Sequence, residues 1–99
     1  MENAEIEERI ARSKEATKLT ELDLSNLNLD TIPPQVLQIK TLRTLNLRKN
    51  RLRGLGHDFV DNMGHLEILN VANNMLEILP PDFGMLTSLR KLYLQGNCL

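Results

Sequence analysis

The chain has 99 residues, 41% hydrophobic and 25% charged, a length and composition that predict one globular domain with its own core. A formal net charge of −1 supplies no general pull toward nucleic acid or an anionic membrane, and no apolar run is long enough to span a bilayer. The aromatic residues are Phe59, Phe83 and Tyr93 alone, so the core must be aliphatic and built mainly from leucine.

In chain order, the first predicted element is a helix over residues 3–15. Asn3 suits its N-cap, and Glu5, Glu7 and Glu8 suit the positive end of its dipole. Ile6 and Ile10, four residues apart, form a narrow apolar stripe with Met1, Ala4 and Ala11 nearby. The stripe is too small and the segment too acidic for a membrane-surface helix, so the expected role of residues 1–18 is to cap the leucines that begin at residue 19.

From Leu19 to the end the chain divides into units that share one pattern: residues 19–41, 42–65, 66–88 and a partial unit, 89–99. Leu19, Leu42, Leu66 and Leu89 open the units. Leu22, Leu45, Leu69 and Leu92 come three residues later, and then Leu24, Leu47, Val71 and Leu94. Asparagine takes the ninth position at Asn50, Asn74 and Asn97, and leucine the eleventh at Leu29, Leu52, Leu76 and Leu99. Ile32, Leu55 and Leu79 come next, succeeded by Val36, Phe59 and Phe83 and by Ile39, Met63 and Leu86. One unit cannot bury these side chains alone, so the units must stack. The Leu-x-Leu alternation makes a short strand with both leucines on one face, and the chain turns at the asparagine and returns along the outside. A turning asparagine in such a stack is buried and its amide must be satisfied. A ladder of Asn50, Asn74 and Asn97 bonding the backbone of adjacent turns does this, and the first unit, with Leu27 there, has no earlier turn to bridge.

The pattern L-x-x-L-x-L-x-x-N-x-L-x-x-L-P-P-x-x-x-x-L, clearest in residues 66–86, resembles the intracellular leucine-rich repeats of the Ras-suppressor and plant Ras-group type. The resemblance covers about 80 residues of the 99. The second unit departs from it. Gly56 replaces the first proline, and residues 54–65 resemble the longer repeats with a phenylalanine at the back. The fold implied is an α/β solenoid, a right-handed curved superhelix with parallel strands on its concave side and a capping helix at its N-terminal end. The function implied is docking of a signalling protein, a small GTPase or its regulator.

Alternation places a second set of residues on the open, concave face: Glu21, Asp23 and Ser25; Thr44, Asn46 and Arg48; Ile68, Asn70 and Ala72; Lys91, Tyr93 and Gln95. This strip runs from acidic through neutral to basic, and Arg48 and Tyr93 are its best anchors, because Arg and Tyr are enriched at interface hot spots. Charge is also segregated along the chain: residues 31–56 carry six bases (Lys40, Arg43, Arg48, Lys49, Arg51 and Arg53) and no acid. The expectation is a solvated turn whose charge neighbouring acids neutralise. Nucleic acid is not expected, since no aromatic residues interleave with the bases.

No catalytic constellation emerges. His57 and His65 have no cysteine at metal-ligand spacing, Asp58 and Asp61 have no partner base, and Ser13, Ser25 and Ser88 lie in no nucleophile elbow. Gly54 and Gly56 lack the strand–loop–helix context of a phosphate loop. The chain is therefore expected to be a binding module without cofactor or metal, not an enzyme. A lone cysteine, no secretory signal and no Asn-x-Ser/Thr acceptor predict a reducing, cytoplasmic setting. The last unit stops just after its turn, leaving its leucines and strand edge uncovered. That predicts either a segment of a longer array, such as the regulatory part of a larger enzyme, or a subunit that self-associates through this end.

Overall fold

The computed structural model describes residues 4–9 and 19–99. Residues 4–9 are helical (α1), so part of the predicted helix forms; Met1, Asn3, Ile10, Ala11 and the predicted boundary at residue 18 lie outside the described residues. Four three-residue strands come next, β1 (Glu21–Asp23), β2 (Thr44–Asn46), β3 (Ile68–Asn70) and β4 (Lys91–Tyr93). They form one parallel sheet in the order β1-β2-β3-β4. Register is in phase across the sheet, so that Leu22, Leu45, Leu69 and Leu92 stand side by side. Each repeat thus adds one strand, and side chains at one repeat position form one row.

Main-chain bonds extend each pairing beyond its strand. Leu24 N–H donates to Asn46 O at 2.8 Å, Leu47 N–H to Asn70 O at 2.7 Å and Val71 N–H to Tyr93 O at 3.0 Å. Past the strands, the asparagines take over. The Asn50 amide group donates to Leu24 O (3.0 Å) and Leu47 O (2.8 Å), that of Asn74 to Leu47 O and Val71 O (both 3.0 Å), and that of Asn97 to Val71 O and Leu94 O (both 2.9 Å). Leu47 O and Val71 O are each shared by two asparagines, so the ladder is unbroken from the first repeat to the last. On the other side of each amide, the oxygens accept backward: Asn50 Oδ1 from Leu27 and Leu29 N–H, Asn74 Oδ1 from Leu52 N–H, and Asn97 Oδ1 from Leu76 N–H. Each asparagine serves the repeat before it, which is why the first repeat does without one.

The residue preceding each asparagine position lies in the left-handed region: Asn26 (φ 60°), Lys49 (φ 60°), Asn73 (φ 58°) and Gly96 (φ 76°). This column was not visible in the spacing. Asn and Gly tolerate such a φ, whereas other L-residues carry a cost of about 1–2 kcal/mol. Lys49 alone departs from the tolerant types. Gly96 has a second reason to be glycine, since a Cβ there would run into Asn73 Oδ1 and lie 3.2 Å from Asn73 Cα.

The return segments differ with sequence as the second repeat's departure suggests. In the first repeat, Pro33 flanks and Pro34 opens a 3-10 helix, Pro34–Gln38, where a missing N–H costs nothing because that group has no intrahelical partner. The third repeat, with Pro80 and Pro81, makes the 3-10 helix Phe83–Met85. The second has glycine instead, with Gly56 at φ 89°, and forms a short α-helix, α2 (Phe59–Asn62), that seats Phe59 wholly in the core.

The core is one aliphatic column containing Leu22, Leu45 and Leu69, with Val36, Phe59 and Met63 at the back. Ile6 from α1 enters the same column at the first repeat. Beside it, the Arg9 guanidinium donates to Asp23 O (2.9 Å) and Ser25 O (3.2 Å), occupying the outer edge of β1. Toward the other end burial falls away. Leu89, Leu92 and Leu94 are only partly buried and Leu99 is exposed.

The ladder, the column and the left-handed positions each set a measurable cost. Asn50→Ala orphans two N–H groups and Leu24 O, Asn74→Ala orphans Leu52 N–H, and Asn97→Ala orphans Leu76 N–H where water has access. Unfolding in urea should therefore rank their costs at about 3, 2 and 1 kcal/mol. Leu69→Ala should cost about 2–5 kcal/mol, and Leu92→Ala, at the open end, about 1–2. Lys49→Asn should stabilise by about 0.5–1 kcal/mol, read as a raised midpoint, because asparagine tolerates this φ.

Candidate functional site

The residues expected on the open face of the sheet stand there in rows set by the strand register. One row is Glu21, Thr44, Ile68 and Lys91, and the next is Asp23, Asn46, Asn70 and Tyr93. Glu21, Asp23, Lys91 and Tyr93 are exposed, while the four side chains on the two inner strands are half-buried by their neighbours. Arg48 and Gln95, just past their strands, are exposed. Alternation puts Ala72 on the open face, but its side chain is only 1% exposed. Its row holds Arg48 and Gln95 on either side, brought alongside by Lys49 N–H donating to Ala72 O and Asn73 N–H to Gln95 O, and a methyl group between longer side chains has no access to solvent.

Three members of the second row have a local task that spacing did not reveal. Asp23 Oδ1 accepts from Ser25 N–H (3.0 Å), Asn46 Oδ1 from Arg48 N–H (3.1 Å) and Asn70 Oδ1 from Ala72 N–H (3.0 Å). These are Asx turns, which bend the backbone out of the strand. They also fix the side chains that carry them, so this part of the face is rigid before any partner arrives. Tyr93 cannot make the turn and presents its ring instead. For Asp23, partial burial alone would raise the carboxyl pKa. Its hydrogen bonds from the Ser25 hydroxyl (2.7 Å) and N–H, with the charges of Arg9 and Arg48, outweigh this and hold it below the ordinary carboxylate value.

The face is therefore graded: carboxylates on β1, amides and an isoleucine in the middle, and a lysine with a tyrosine on β4. It sets hydrogen-bond donors and acceptors side by side on an in-register sheet.

The six-base segment does not form one patch, and neighbouring acids meet part of it: Arg43 reaches Glu67, and the charge of Arg48 acts on Asp23. Arg43 and Lys40 precede β2. Arg43 pairs with Glu67 at 2.7 Å and Lys40 donates to Asn62 Oδ1. Arg48, Lys49, Arg51 and Arg53 lie on the opposite edge, where the chain leaves the strand. None of these four has an acidic partner within ion-pair distance among the described residues. Asp58 instead pairs with His57 at 3.2 Å. His57 and His65 are both exposed, and no group of His, Cys, Asp and Glu among the described residues could hold a metal ion.

Comparison with known proteins agrees with this architecture. Family models described as leucine-rich repeats match residues 18–38 and 40–99. The chain is 35% identical over 79 residues to chaoptin of Drosophila melanogaster, covering 80% of this chain and 6% of that protein. It is 35% identical over 85 residues to the human volume-regulated anion channel subunit LRRC8A, covering 85% of this chain and 10% of the subunit. A solved leucine-rich-repeat protein of Leptospira interrogans superimposes with a TM-score of 0.74 at 34% identity, over 80% of this chain and 20% of that one. The chain thus spans about a tenth or less of the length of these curated relatives. With matched models covering most of its length and an in-phase parallel sheet of one strand per repeat, the chain belongs to the leucine-rich repeat family.

Proposed function

We propose that this chain is a protein–protein interaction scaffold whose open sheet face docks a partner protein. The observation that carries this is the pair of in-register rows, Glu21–Thr44–Ile68–Lys91 and Asp23–Asn46–Asn70–Tyr93. They offer a graded set of charges, amides and one aromatic ring on a frame that the asparagine ladder holds stiff. A preorganised surface of this kind loses little conformational entropy on binding. Tyr93 and Arg48 are its anchors, with Glu21, Asp23, Lys91 and Gln95 completing the polar rim. The proline-containing first and third repeats support a place among the intracellular Ras-suppressor-type repeats, and with it a cytoplasmic role linked to small-GTPase signalling. On this proposal the chain binds and does not catalyse.

A second reading rests on the small share of its relatives that the chain spans. One of them, the leucine-rich repeat serine/threonine-protein kinase 1 of Caenorhabditis elegans, is 39% identical over 66 residues, which are 3% of that protein. In this second reading the repeats are the targeting or regulatory segment of a larger enzyme. Self-association through the exposed last repeat is a third role, removed by a strictly monomeric result in light scattering over a concentration series.

The test of the leading reading is a pull-down with the wild-type chain, Tyr93→Ala and Arg48→Glu. Each variant should lower affinity for the captured partner about tenfold or more while leaving the urea midpoint unchanged, because neither side chain lies in the core. If both retain wild-type affinity, the open face is not the docking surface.

A further inference from the structure

The junctions between successive repeats all use one set of main-chain bonds. Leu24 and Asn26 N–H donate to Asn46 O and Arg48 O, Leu47 and Lys49 N–H to Asn70 O and Ala72 O, and Val71 and Asn73 N–H to Tyr93 O and Gln95 O. By repeat position, the acceptors that β1 offers to a preceding repeat are Asp23 O and Ser25 O. The Arg9 guanidinium donates to these same two carbonyls, at 2.9 and 3.2 Å. Ile6, 2% exposed, lies in the column where a preceding repeat's leucines would lie. α1 is thus a surrogate repeat seated on a repeat-binding edge. At the other edge of the sheet, Leu94 and Gly96 occupy the donor positions, and no strand beyond β4 takes them among the described residues. Leu92 and Leu94 are only partly buried there. The two edges also differ in charge. Residues 19–30 carry Glu21, Asp23 and Asp30 and no base, and residues 89–99 carry Arg90 and Lys91 and no acid.

We propose that the edge of β1 beneath α1 is a docking surface for the β4 edge of a second copy, and that α1 competes with that copy for it. Leu94 and Gly96 N–H of one copy take the place of Arg9 on Asp23 O and Ser25 O of the next, and Leu92 and Leu94 stack on Leu22 and Leu24. In this register Lys91 stands beside Glu21, as it stands beside Ile68 within its own chain. Neither Lys91 nor Glu21 has an ion-pair partner among the described residues. Charge selects head-to-tail docking over pairing of two β4 edges, which would set Arg90 and Lys91 against the same bases of the other copy. Glu67, 3.6 Å from Arg90, offsets one of those bases and leaves Lys91. A head-to-tail contact is heterologous: each docked copy offers a new β4 edge, so assembly continues past dimers. The junction lacks one thing that an internal one has. Leu27 stands where Asn50, Asn74 and Asn97 stand in the other repeats, so the receiving copy brings no amide to the ladder, and α1 prevails in the wild-type chain. The inference shares the use of the last repeat with the self-association role above, but it expects a monomeric wild type, so the two fail separately.

Sedimentation velocity over a concentration series tests this, with circular dichroism confirming that each variant is folded. The wild-type chain should stay monomeric. Arg9→Ala frees the two carbonyls and keeps Ile6 in the core, and it should associate with an affinity raised about tenfold. Ile6→Asp combined with Arg9→Ala should associate more tightly still, and both should form species larger than dimers. On the Arg9→Ala background, Lys91→Glu or Glu21→Lys alone should weaken association about fivefold, and the two together should restore it. Leu27→Asn on that background should strengthen it about threefold, by supplying the missing amide. Wild-type chain added to the assemblies should shorten them, because its β4 edge docks while its covered β1 edge accepts no further copy. The proposal is overturned if the folded single and double variants both remain monomeric, if growth stops at dimers, or if the paired charge reversal fails to restore what each single reversal removes. Assemblies that wild-type chain leaves unshortened would also overturn it, in favour of aggregation through exposed leucine.

Discussion

Buried carbonyls and amides at the strand exits are the constraint that the rest of this molecule must satisfy. A solenoid turns its chain inside the stack, where water cannot reach, and each turn leaves main-chain groups that three-residue strands do not pair. Asn50 and Asn74, 7% and 6% exposed, are held inside because an amide can donate and accept at once. Its two ends connect adjacent repeats at a fixed spacing. Sharing of Leu47 O and Val71 O between successive asparagines ties each repeat to both neighbours. The leucine column provides the larger favourable free energy, but it is non-directional. The amides select which register of that column has every polar group satisfied, and no buried side-chain nitrogen or oxygen among the described residues lacks a partner.

The open face inherits its order from that register. Because the strands pair in phase, a side chain one residue before or after the core leucine is placed relative to its counterparts by the main chain, not by its own preferences. The Asx turns of Asp23, Asn46 and Asn70 add a second fixation at the point where the strand ends. The fourth member of this row, Tyr93, is the exception, and it lies on the edge strand where half of the sheet's pairing is absent. It is the one side chain of its row that combines a large apolar area with a polar tip.

The features legible in the sequence were those that depend on spacing alone. The leucine positions, the strand pairing they imply, the asparagine ladder and the residues of the open face derive from periodicity, because a repeated backbone puts like positions in like environments. The burial of Ala72 was not legible, because alternation gives a direction but not a reach, and a methyl between Arg48 and Gln95 is covered. The placement of the basic segment was hidden for a related reason. β2 runs between Arg43 and Arg48 and separates them to opposite edges of the repeat, and among the described residues Arg43 is the base of this segment that reaches an acid at ion-pair distance. Lys49's left-handed backbone was invisible in a different sense: it shows only when one repeat is compared with its spatial neighbours, which have Asn or Gly at that place.

Repetition also determines how stability is distributed. In a stack each repeat contacts only its neighbours, so the middle units are covered on both sides and the last is covered on one. Leu69 and Leu76 are fully buried and their counterparts Leu92 and Leu99 are not, while Asn97 makes the same kinds of bond as Asn74 in a half-exposed setting. At the first repeat the same deficiency is met by other means: Ile6 fills the column and Arg9 occupies the carbonyls of Asp23 and Ser25. An aliphatic plug and a guanidinium here do what a neighbouring repeat does elsewhere. The two functions required of a terminal unit, burying leucine and satisfying main-chain acceptors, are therefore separable and can be met by single side chains. The second repeat, with neighbours on both sides, has Gly54 and Gly56 in its return segment and still leaves Leu52, Leu55 and Phe59 buried. Loss of a side chain is least costly at that place in the stack.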